Sequence, residues 1–240
     1  MVISMIFHHM DRIVFAGDSV TDAGSGIPVG ERDTIGCGYV RMIENLLSAL
    51  YPEVCLRITN SGISGDTSRD LLLRWERDVR NLNPQWVSIC IGINDVWRHF
   101  HAPALLDQLV SPKEYRENVQ QMILSEKPHA KGIFLMTPYY MEPNQNDVVR
   151  IKMDEYGAIC KDLAEENGCI LIDLQAMFNH YCSIRHSSYL AWDRVHPNQI
   201  GATLIALEWL KHCELGRLQS EKHDYCKLPL GASQELLQCL

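Results

Sequence analysis

The sequence predicts an α/β domain built on a five-stranded parallel sheet. Five short apolar runs rich in β-branched residues recur along the chain, at residues 12–16, 55–59, 86–91, 132–136 and 169–174. Each run is nearly continuous rather than alternating, as in strands that are covered on both faces. Segments with helical spacing separate the runs, and repeated strand–helix alternation is typical of a parallel sheet with helices packed against it.

The helical segments are recognised by apolar residues that recur three or four positions apart. The expected helices cover residues 39–50, 67–80, 115–123, 153–163 and 197–213. In the last of these, Pro197 suits the first turn, because proline is tolerated where its missing N–H is not needed. Its apolar positions predict a core-facing stripe formed by Ile200, Leu204, Leu207 and Leu210.

Length and composition are those of an ordinary globular protein. At 240 residues, with 46% hydrophobic and 22% charged residues, the chain is long enough for one large domain. We expect a single domain over residues 1–215 and a C-terminal appendage over residues 216–240, where no clear periodicity is found. The longest expected loop is the Gly-rich, polar segment at residues 20–36.

Charge, hydropathy and cysteine usage limit which partners and which cellular compartment are expected for the protein. Lys and Arg total 22 against 30 Asp and Glu, so a net charge of −8 argues against a general nucleic-acid binder. No stretch approaches the ~20 apolar residues of a transmembrane helix, and the N-terminus lacks the pattern of a secretory signal. Nine cysteines are scattered without a C-x-x-C pair, which favours a reducing cytoplasm.

Polar residues stand at the ends of several expected strands. Ser19 follows the first strand within Gly-Asp-Ser, Gly62 follows the second within Asn-Ser-Gly, and Asn94 follows the third. Asp193 and His196 precede the last helix. Because ligands bind beyond the carboxyl ends of the strands in open parallel sheets, these residues are expected to converge on one edge.

Together these residue types suit acyl transfer. A serine hydroxyl becomes a good nucleophile when a base removes its proton, and His196 is the candidate base for Ser19. Asp193, three residues earlier, is placed to hold the imidazole in one tautomer. The N–H groups of Gly62 and Ser19 and the side-chain amide of Asn94 are the candidate donors to the developing oxyanion.

Each of these motifs also has a structural interpretation when taken alone. Gly-Asp-Ser after a strand is usually a turn, and Asp-x-x-His before a helix is often a cap followed by a surface histidine. Gly62 can serve simply as a turn residue with positive φ. The hydrolase hypothesis depends on the joint occurrence of these motifs in order, each at a strand end or before the last helix.

This combination resembles the SGNH hydrolases, also called the GDSL esterase/lipase family, over residues 12–213. The name-giving residues correspond to Ser19, Gly62, Asn94 and His196, with Asp193 as the third member of the triad, and GDSV stands in place of GDSL. Longer stretches, including WVSICIGINDVWR and LAWDRVHPNQIGA, are similar to cytoplasmic acetyl xylan esterases of bacteria.

The resemblance implies a flavodoxin-like three-layer α/β/α fold, no metal and no cofactor. It also implies a homo-oligomer that deacetylates xylo-oligosaccharides. Four aromatic residues near the site segments are candidates for stacking on a sugar ring, and each also suits the core or an interface: Trp97, Trp192, Tyr139 and Tyr140.

Other functions remain open at this point. A lysophospholipase, thioesterase or arylesterase would use the same mechanism on another acyl group. A metal-dependent phosphoesterase would need ligands from Asp18, Asn94, Asp95 and His196, a sparser set than such sites generally use. A non-catalytic binding module on the same fold would not require Ser, His and Asp together.

Overall fold

A single parallel sheet organises the molecule in the computed structural model, which describes residues 5–25 and 35–213. Its strands are β1 (Arg12–Gly17), β2 (Arg57–Gly62), β3 (Trp86–Cys90), β4 (Gly132–Met136) and β5 (Ile170–Ile172), in the spatial order β2-β1-β3-β4-β5. All neighbouring strands pair in parallel. The predicted α/β class and five-stranded sheet are confirmed. The expected appendage at residues 216–240 and the centre of the expected loop at residues 20–36 lie outside the described residues.

Eight α-helices accompany the sheet within the described part of the chain. They are α1 (Ser19–Asp22), α2 (Tyr39–Leu50), α3 (Ser68–Asp78), α4 (Ile93–His101), α5 (Pro112–Glu126), α6 (Val148–Asn167), α7 (Leu174–Ile184) and α8 (Gln199–Lys211). Across residues 5–25 and 35–213, none of them combines the length and the apolar composition needed to cross a bilayer.

The helices form layers on both faces of the sheet. In one layer α8 contacts α2 and α7. In the other layer α5 contacts α3 and α6, and α6 also contacts α4. The central strands are buried almost throughout, which explains their continuous apolar sequences. The result is the expected three-layer α/β/α arrangement, with the strand order typical of flavodoxin-like folds.

An aromatic cluster fills the core beneath α8. Trp209 is fully buried, and its ring centroid lies 4.6 Å from that of Phe134, 5.2 Å from that of Phe15 and 5.8 Å from that of Phe7. The indole N–H donates to the Ser88 hydroxyl at 3.1 Å, which satisfies the one polar atom of the side chain.

The predicted inward face of α8 is wrong in part. Ile200 and Leu207 are exposed, and the buried stripe runs instead through Ala202, Ile205 and Trp209. This helix is apolar around most of its circumference, so apolar spacing alone does not select the face that packs on the sheet. The helix also starts at Gln199 rather than at Pro197, because the Asn198 side chain accepts hydrogen bonds from the N–H groups of the first turn and caps it.

Local backbone features shift other boundaries. Strand β2 begins at Arg57, two residues later than expected, because Cys55 takes a left-handed conformation with φ of 50° after a short helical turn. Strand β5 ends at Ile172, where the side chain of Asp173 accepts a hydrogen bond from the N–H of Ala176 and caps α7. Helices α4 and α7 were not among the expected elements.

The strand order places a crevice at the carboxyl edge between β1 and β3. From β1 the chain first moves outward to β2 and then crosses back to β3, so the connections leave these two neighbouring strands in opposite directions. Such a switch point is where ligands bind in open α/β sheets. It brings together the residues that follow β1 and β3.

Candidate active site

Ser19 is the first residue of α1, directly after β1. Asp18 caps this short helix, with its Oδ1 accepting from the N–H of Val20 at 3.0 Å. The half-buried Ser19 directs its Oγ toward His196, with 2.8 Å between Oγ and Nε2. The N–H of Ser19 makes no hydrogen bond to any described residue, as expected for an N–H in the first turn of a helix.

The imidazole of His196 is oriented by Asp193. Its Nδ1 lies 2.5 Å from Asp193 Oδ2, while Asp193 Oδ1 accepts from the backbone N–H groups of His196 at 2.8 Å and Val195 at 3.0 Å. Burial raises the pKa of Asp193, but these hydrogen bonds outweigh it and leave the pKa below the ordinary value. An ionised carboxylate only accepts, so Nδ1 carries the proton and Nε2 is free to accept from Ser19.

The turn that carries this pair is held by the segment after β4. The Tyr139 hydroxyl donates to the carbonyl of Val195 at 2.9 Å, and the N–H of Met141 donates to the carbonyl of Arg194 at 2.9 Å. Arg194 itself has a left-handed backbone with φ of 66°. Tyr139 is fully buried, so its expected role as a sugar-stacking residue is corrected: the ring has no open face, and its hydroxyl positions the turn.

The other three aromatic residues are placed differently. Trp97 is half-buried and meets the buried Tyr140 edge to face, with 6.2 Å between ring centroids. Trp192 stands beside Asp193 with 89% of its surface exposed. The structure therefore brings Trp97 and Tyr140 together, and only Trp192 presents a fully open ring.

Asn94 lies in the first turn of α4, at the end of β3. Its Nδ2 donates to the backbone carbonyl of Asp66 at 2.9 Å. A side-chain amide has two N–H groups, so one remains for another acceptor. The neighbouring Asp95 is buried and accepts from the N–H and the hydroxyl of Ser68, which fixes the start of α4 against the start of α3. Burial raises the pKa of Asp95 to about 6.

Gly62 does not present its N–H to the crevice, which corrects the expectation that it is an oxyanion donor. The residue is buried, and its N–H donates to Asn60 Oδ1 at 2.9 Å. Asn60 Nδ2 in turn donates to the carbonyl of Thr21 at 2.7 Å. A Cβ at position 62 would lie 2.2 Å from the backbone nitrogen of Asp22. Gly62 therefore allows α1 to pack directly on β2.

Gly65, three residues later, has the features expected of the donor. It is exposed, its φ is +90°, and its N–H makes no hydrogen bond to the part of the chain that the structure describes. On one side the Ser64 hydroxyl donates to the Asp22 carboxylate in α1, and on the other the Asp66 carbonyl holds Asn94. Gly62 ends β2 and Gly65 follows three residues later, so sequence position alone could not decide between them.

Asp18 combines complete burial with an unpartnered oxygen. Its Oδ1 caps α1, but Oδ2 has no hydrogen-bond partner among the described residues. Burial raises the pKa of Asp18 to about 7, and the carboxylates of Asp95 and Asp66 contribute to the increase. Asp18 is therefore largely protonated at slightly acidic pH, although it adjoins Ser19.

The ligand set that a metal-dependent phosphoesterase would need is not assembled. Within residues 5–25 and 35–213, no three His, Cys, Asp or Glu side chains cluster in a way that could hold a metal ion. The oxygens of Asp95 accept from Ser68, and His196 is hydrogen-bonded through both ring nitrogens.

Comparison with known proteins connects this geometry to a family. The profile of the GDSL-like Lipase/Acylhydrolase family matches residues 15–204. An acetylxylan esterase from Geobacillus stearothermophilus is 45% identical over 203 residues, which cover 84% of this chain and 93% of the relative.

Solved structures agree with this match over nearly their full lengths. Axe2, an acetylxylan esterase from Geobacillus stearothermophilus, is 44% identical with a TM-score of 0.85, covering 87% of this chain and 96% of that one. LAE5, an alpha/beta hydrolase enzyme from the metagenome of Lake Arreo in Spain, is 43% identical with a TM-score of 0.84, covering 88% and 98%. On the match to its profile and on this similarity, the chain belongs to the GDSL-like lipase/acylhydrolase family.

Proposed function

We propose that this protein is a serine esterase that removes acetyl groups from xylo-oligosaccharides or related sugars. The observation that carries the proposal is the hydrogen-bonded line from Ser19 Oγ through His196 to Asp193, with distances of 2.8 Å and 2.5 Å. The similarity to acetylxylan esterases supports the substrate class.

In the proposed reaction, Ser19 Oγ attacks the acetyl carbonyl carbon while its proton passes to His196 Nε2. Asp193 stabilises the imidazolium that results. The tetrahedral intermediate collapses when the sugar oxygen leaves with the proton from His196, and acetyl-Ser19 remains. Water, activated by His196, attacks this second ester, so that acetate leaves and Ser19 recovers its proton.

Three donors are assigned to the oxyanion of the tetrahedral intermediate. They are the N–H of Ser19, the N–H of Gly65 and the second amide N–H of Asn94, none of which is used by a described residue. Preorganised donors stabilise the charge that develops in the transition state, and each contributes about 10²–10³ in kcat.

Sugar recognition is assigned to the aromatic residues beside the triad. Trp192 presents an open ring next to Asp193, while Trp97 and Tyr140 form a packed pair after β3 and β4. Aromatic rings pack well against the apolar faces of sugar rings. Trp192→Ala is expected to raise KM for acetylated xylobiose and to leave the hydrolysis of p-nitrophenyl acetate nearly unchanged.

The acyl preference distinguishes this proposal from its alternatives. Purified protein is assayed with p-nitrophenyl acetate, butyrate and octanoate, and with peracetylated xylose and xylobiose, and Ser19→Ala serves as the blank. We expect kcat/KM to fall with chain length, because a site sized for a methyl group loses about 1–3 kcal/mol on overpacking. Fastest turnover of the octanoate ester, with no acetate from acetylated xylose, would establish a lysophospholipase, thioesterase or arylesterase instead.

We place this activity in the cytoplasm and expect a homo-oligomer. Six cysteines in the described part of the chain carry free thiols, which suits a reducing compartment. They are Cys37, Cys55, Cys90, Cys160, Cys169 and Cys182. Light scattering on the purified protein measures the oligomeric state, and a monomeric mass would contradict that part of the proposal.

A further inference from the structure

Every nitrogen of the Arg74 guanidinium donates a hydrogen bond near the carboxyl ends of two strands. Arg74 lies on α3 and its side chain is 8% exposed. Nη2 donates to the carbonyls of Gly17 at 3.1 Å and Ser61 at 2.9 Å, and Nε donates to Asp66 Oδ2 at 2.6 Å. Nη1 donates to Ser61 Oγ at 3.1 Å and Asp78 Oδ2 at 3.2 Å.

The acceptors of Arg74 adjoin the three proposed oxyanion donors. Gly17 ends β1, two residues before Ser19, and Ser61 stands in β2 at the entry to the turn that contains Gly65. Asp66 follows Gly65, and its own carbonyl holds the Asn94 amide at 2.9 Å. Arg74 thus contacts the backbone at the ends of β1 and β2 and the side chain of Asp66, whose carbonyl accepts from Asn94.

We propose that Arg74 is a positioning residue that sets the mutual placement of the three oxyanion donors. Its guanidinium fixes β1 and β2 to each other at their ends and holds the Asp66 side chain, so that the Asp66 carbonyl keeps Asn94 oriented. The inference rests on the proposed esterase function, since it concerns how the transition state of that reaction is stabilised.

Only arginine provides this connection. Its planar fork offers five donors in fixed directions, whereas the ammonium of lysine offers three from a single atom. A lysine at position 74 can retain an ion pair with Asp66 or Asp78, but it cannot also reach both strand carbonyls. Because oxyanion stabilisation depends on placement to within less than about 1 Å, loosening these contacts is expected to lower kcat.

The first test replaces Arg74 with lysine and measures kcat and KM for p-nitrophenyl acetate. We expect kcat to fall about 10- to 100-fold, with KM changed less than about threefold, because the oxyanion forms only on the way to the transition state. Arg77→Lys is the matched control. Arg77 pairs with the same Asp78, at 2.6 Å, but it is largely exposed and contacts neither strand end. Its kcat is expected to equal that of the parent.

The second test separates positioning from a general loss of stability. Asp66→Asn removes the ion pair with Arg74 and leaves the Asp66 backbone carbonyl in place. Each of Arg74→Lys and Asp66→Asn is combined with Asn94→Ala, which alone is expected to lower kcat about 10²–10³-fold. The part of the effect that passes through Asn94 is absent from the double variants, so their loss in kcat is expected to be smaller than the product of the two single losses, because coupled residues are not additive.

Three outcomes would overturn the inference. One is a parent-like kcat in folded Arg74→Lys, and another is a higher KM with unchanged kcat. The third is full additivity with Asn94→Ala, read from Asp66→Asn alone if Arg74→Lys does not fold. Failure of the proposed function can be distinguished from failure of this inference, because the parent protein would then show no ester turnover and no covalent labelling of Ser19. In that case the proposed role of Arg74 would also be wrong.

Discussion

Ser19 Oγ and His196 Nε2 lie 2.8 Å apart, although 177 positions separate the two residues in the chain. The contact depends on two independent pieces of backbone. One is the turn from β1 into α1, capped by Asp18, and the other is the turn before α8, where Asp193 accepts from the N–H groups of Val195 and His196. Each turn is locally defined, and the sheet brings them together.

Replacing Ser19 with alanine is expected to leave a folded protein with almost no esterase activity. The change removes the nucleophile and one hydrogen bond to an exposed imidazole, so the melting temperature should change little. A serine-directed phosphonate is expected to add its mass to Ser19 of the parent, as read by peptide mass spectrometry. Labelling of Ser61 or Ser64 instead would contradict the assignment.

His196→Ala is expected to lower kcat more than Asp193→Asn. Removing the imidazole abolishes proton transfer, which costs about 10⁶-fold in comparable serine hydrolases, whereas loss of the carboxylate costs about 10⁴-fold. The introduced amide still accepts hydrogen bonds from the N–H groups of Val195 and His196, so the turn is retained. Steady-state kinetics on p-nitrophenyl acetate measures both. A deeper loss in Asp193→Asn would show that the carboxylate does more than orient and stabilise.

Substituting alanine for Gly62 and for Gly65 is expected to produce opposite phenotypes. Gly62→Ala places a methyl group 2.2 Å from the Asp22 backbone nitrogen, so the melting temperature should drop sharply. Gly65→Ala meets no neighbouring atom, but an alanine resists a φ of +90°. The turn is expected to relax, the N–H to move, and kcat to fall by about tenfold or more with a small change in melting temperature. A parent-like kcat in Gly65→Ala would remove Gly65 from the oxyanion hole.

Asp18→Asn is expected to weaken the dependence of stability on pH. In the unfolded chain Asp18 loses its proton near its ordinary pKa of 3.8, whereas the folded chain keeps it up to a pKa of about 7. Between these values the folded state binds one more proton, so the contribution of Asp18 to stability decreases as pH rises and levels off above about 7.

The Asp18→Asn variant isolates this contribution. The introduced amide can still accept from the N–H of Val20 through its side-chain oxygen, but it has no proton to lose in this range. Melting temperatures are measured for both proteins at pH 5, 6, 7 and 8. The melting temperature of the variant is expected to increase relative to that of the parent as pH rises. Parallel curves for the two proteins would mean that Asp18 ionises at a similar pH in the folded and unfolded states.

The strands and most of the candidate site were predictable because their signals are local. Buried parallel strands appear in the sequence as continuous apolar runs. Ser19 and Asn94 are recognisable as polar residues that follow two of these runs. Helix α8 shows the limit of this reasoning, since its exposed Ile200 and buried Ile205 differ only in what packs against them.

The remaining assignments depend on partners that are distant in the chain or hidden in the turn geometry. Gly62 and Gly65 are equivalent until Asn60 is seen to accept from one of them. Tyr139 is a plausible stacking residue until its hydroxyl meets the carbonyl of Val195, 56 positions away. Arg74 belongs to a charged helix whose other arginines are more exposed, and nothing in its local pattern shows that it points to the strand ends.

The separation of Ser19 from its base also has a consequence during synthesis. The chain emerges from the ribosome N-terminus first, at about 5–20 residues per second, so Ser19 precedes His196 by roughly 9–35 s. During this interval the hydroxyl has no general base and is an ordinary alcohol. Ester hydrolysis therefore becomes possible only when the turn before α8 docks at the carboxyl edge of β1. In a refolding experiment, the onset of ester turnover would report when that docking occurs.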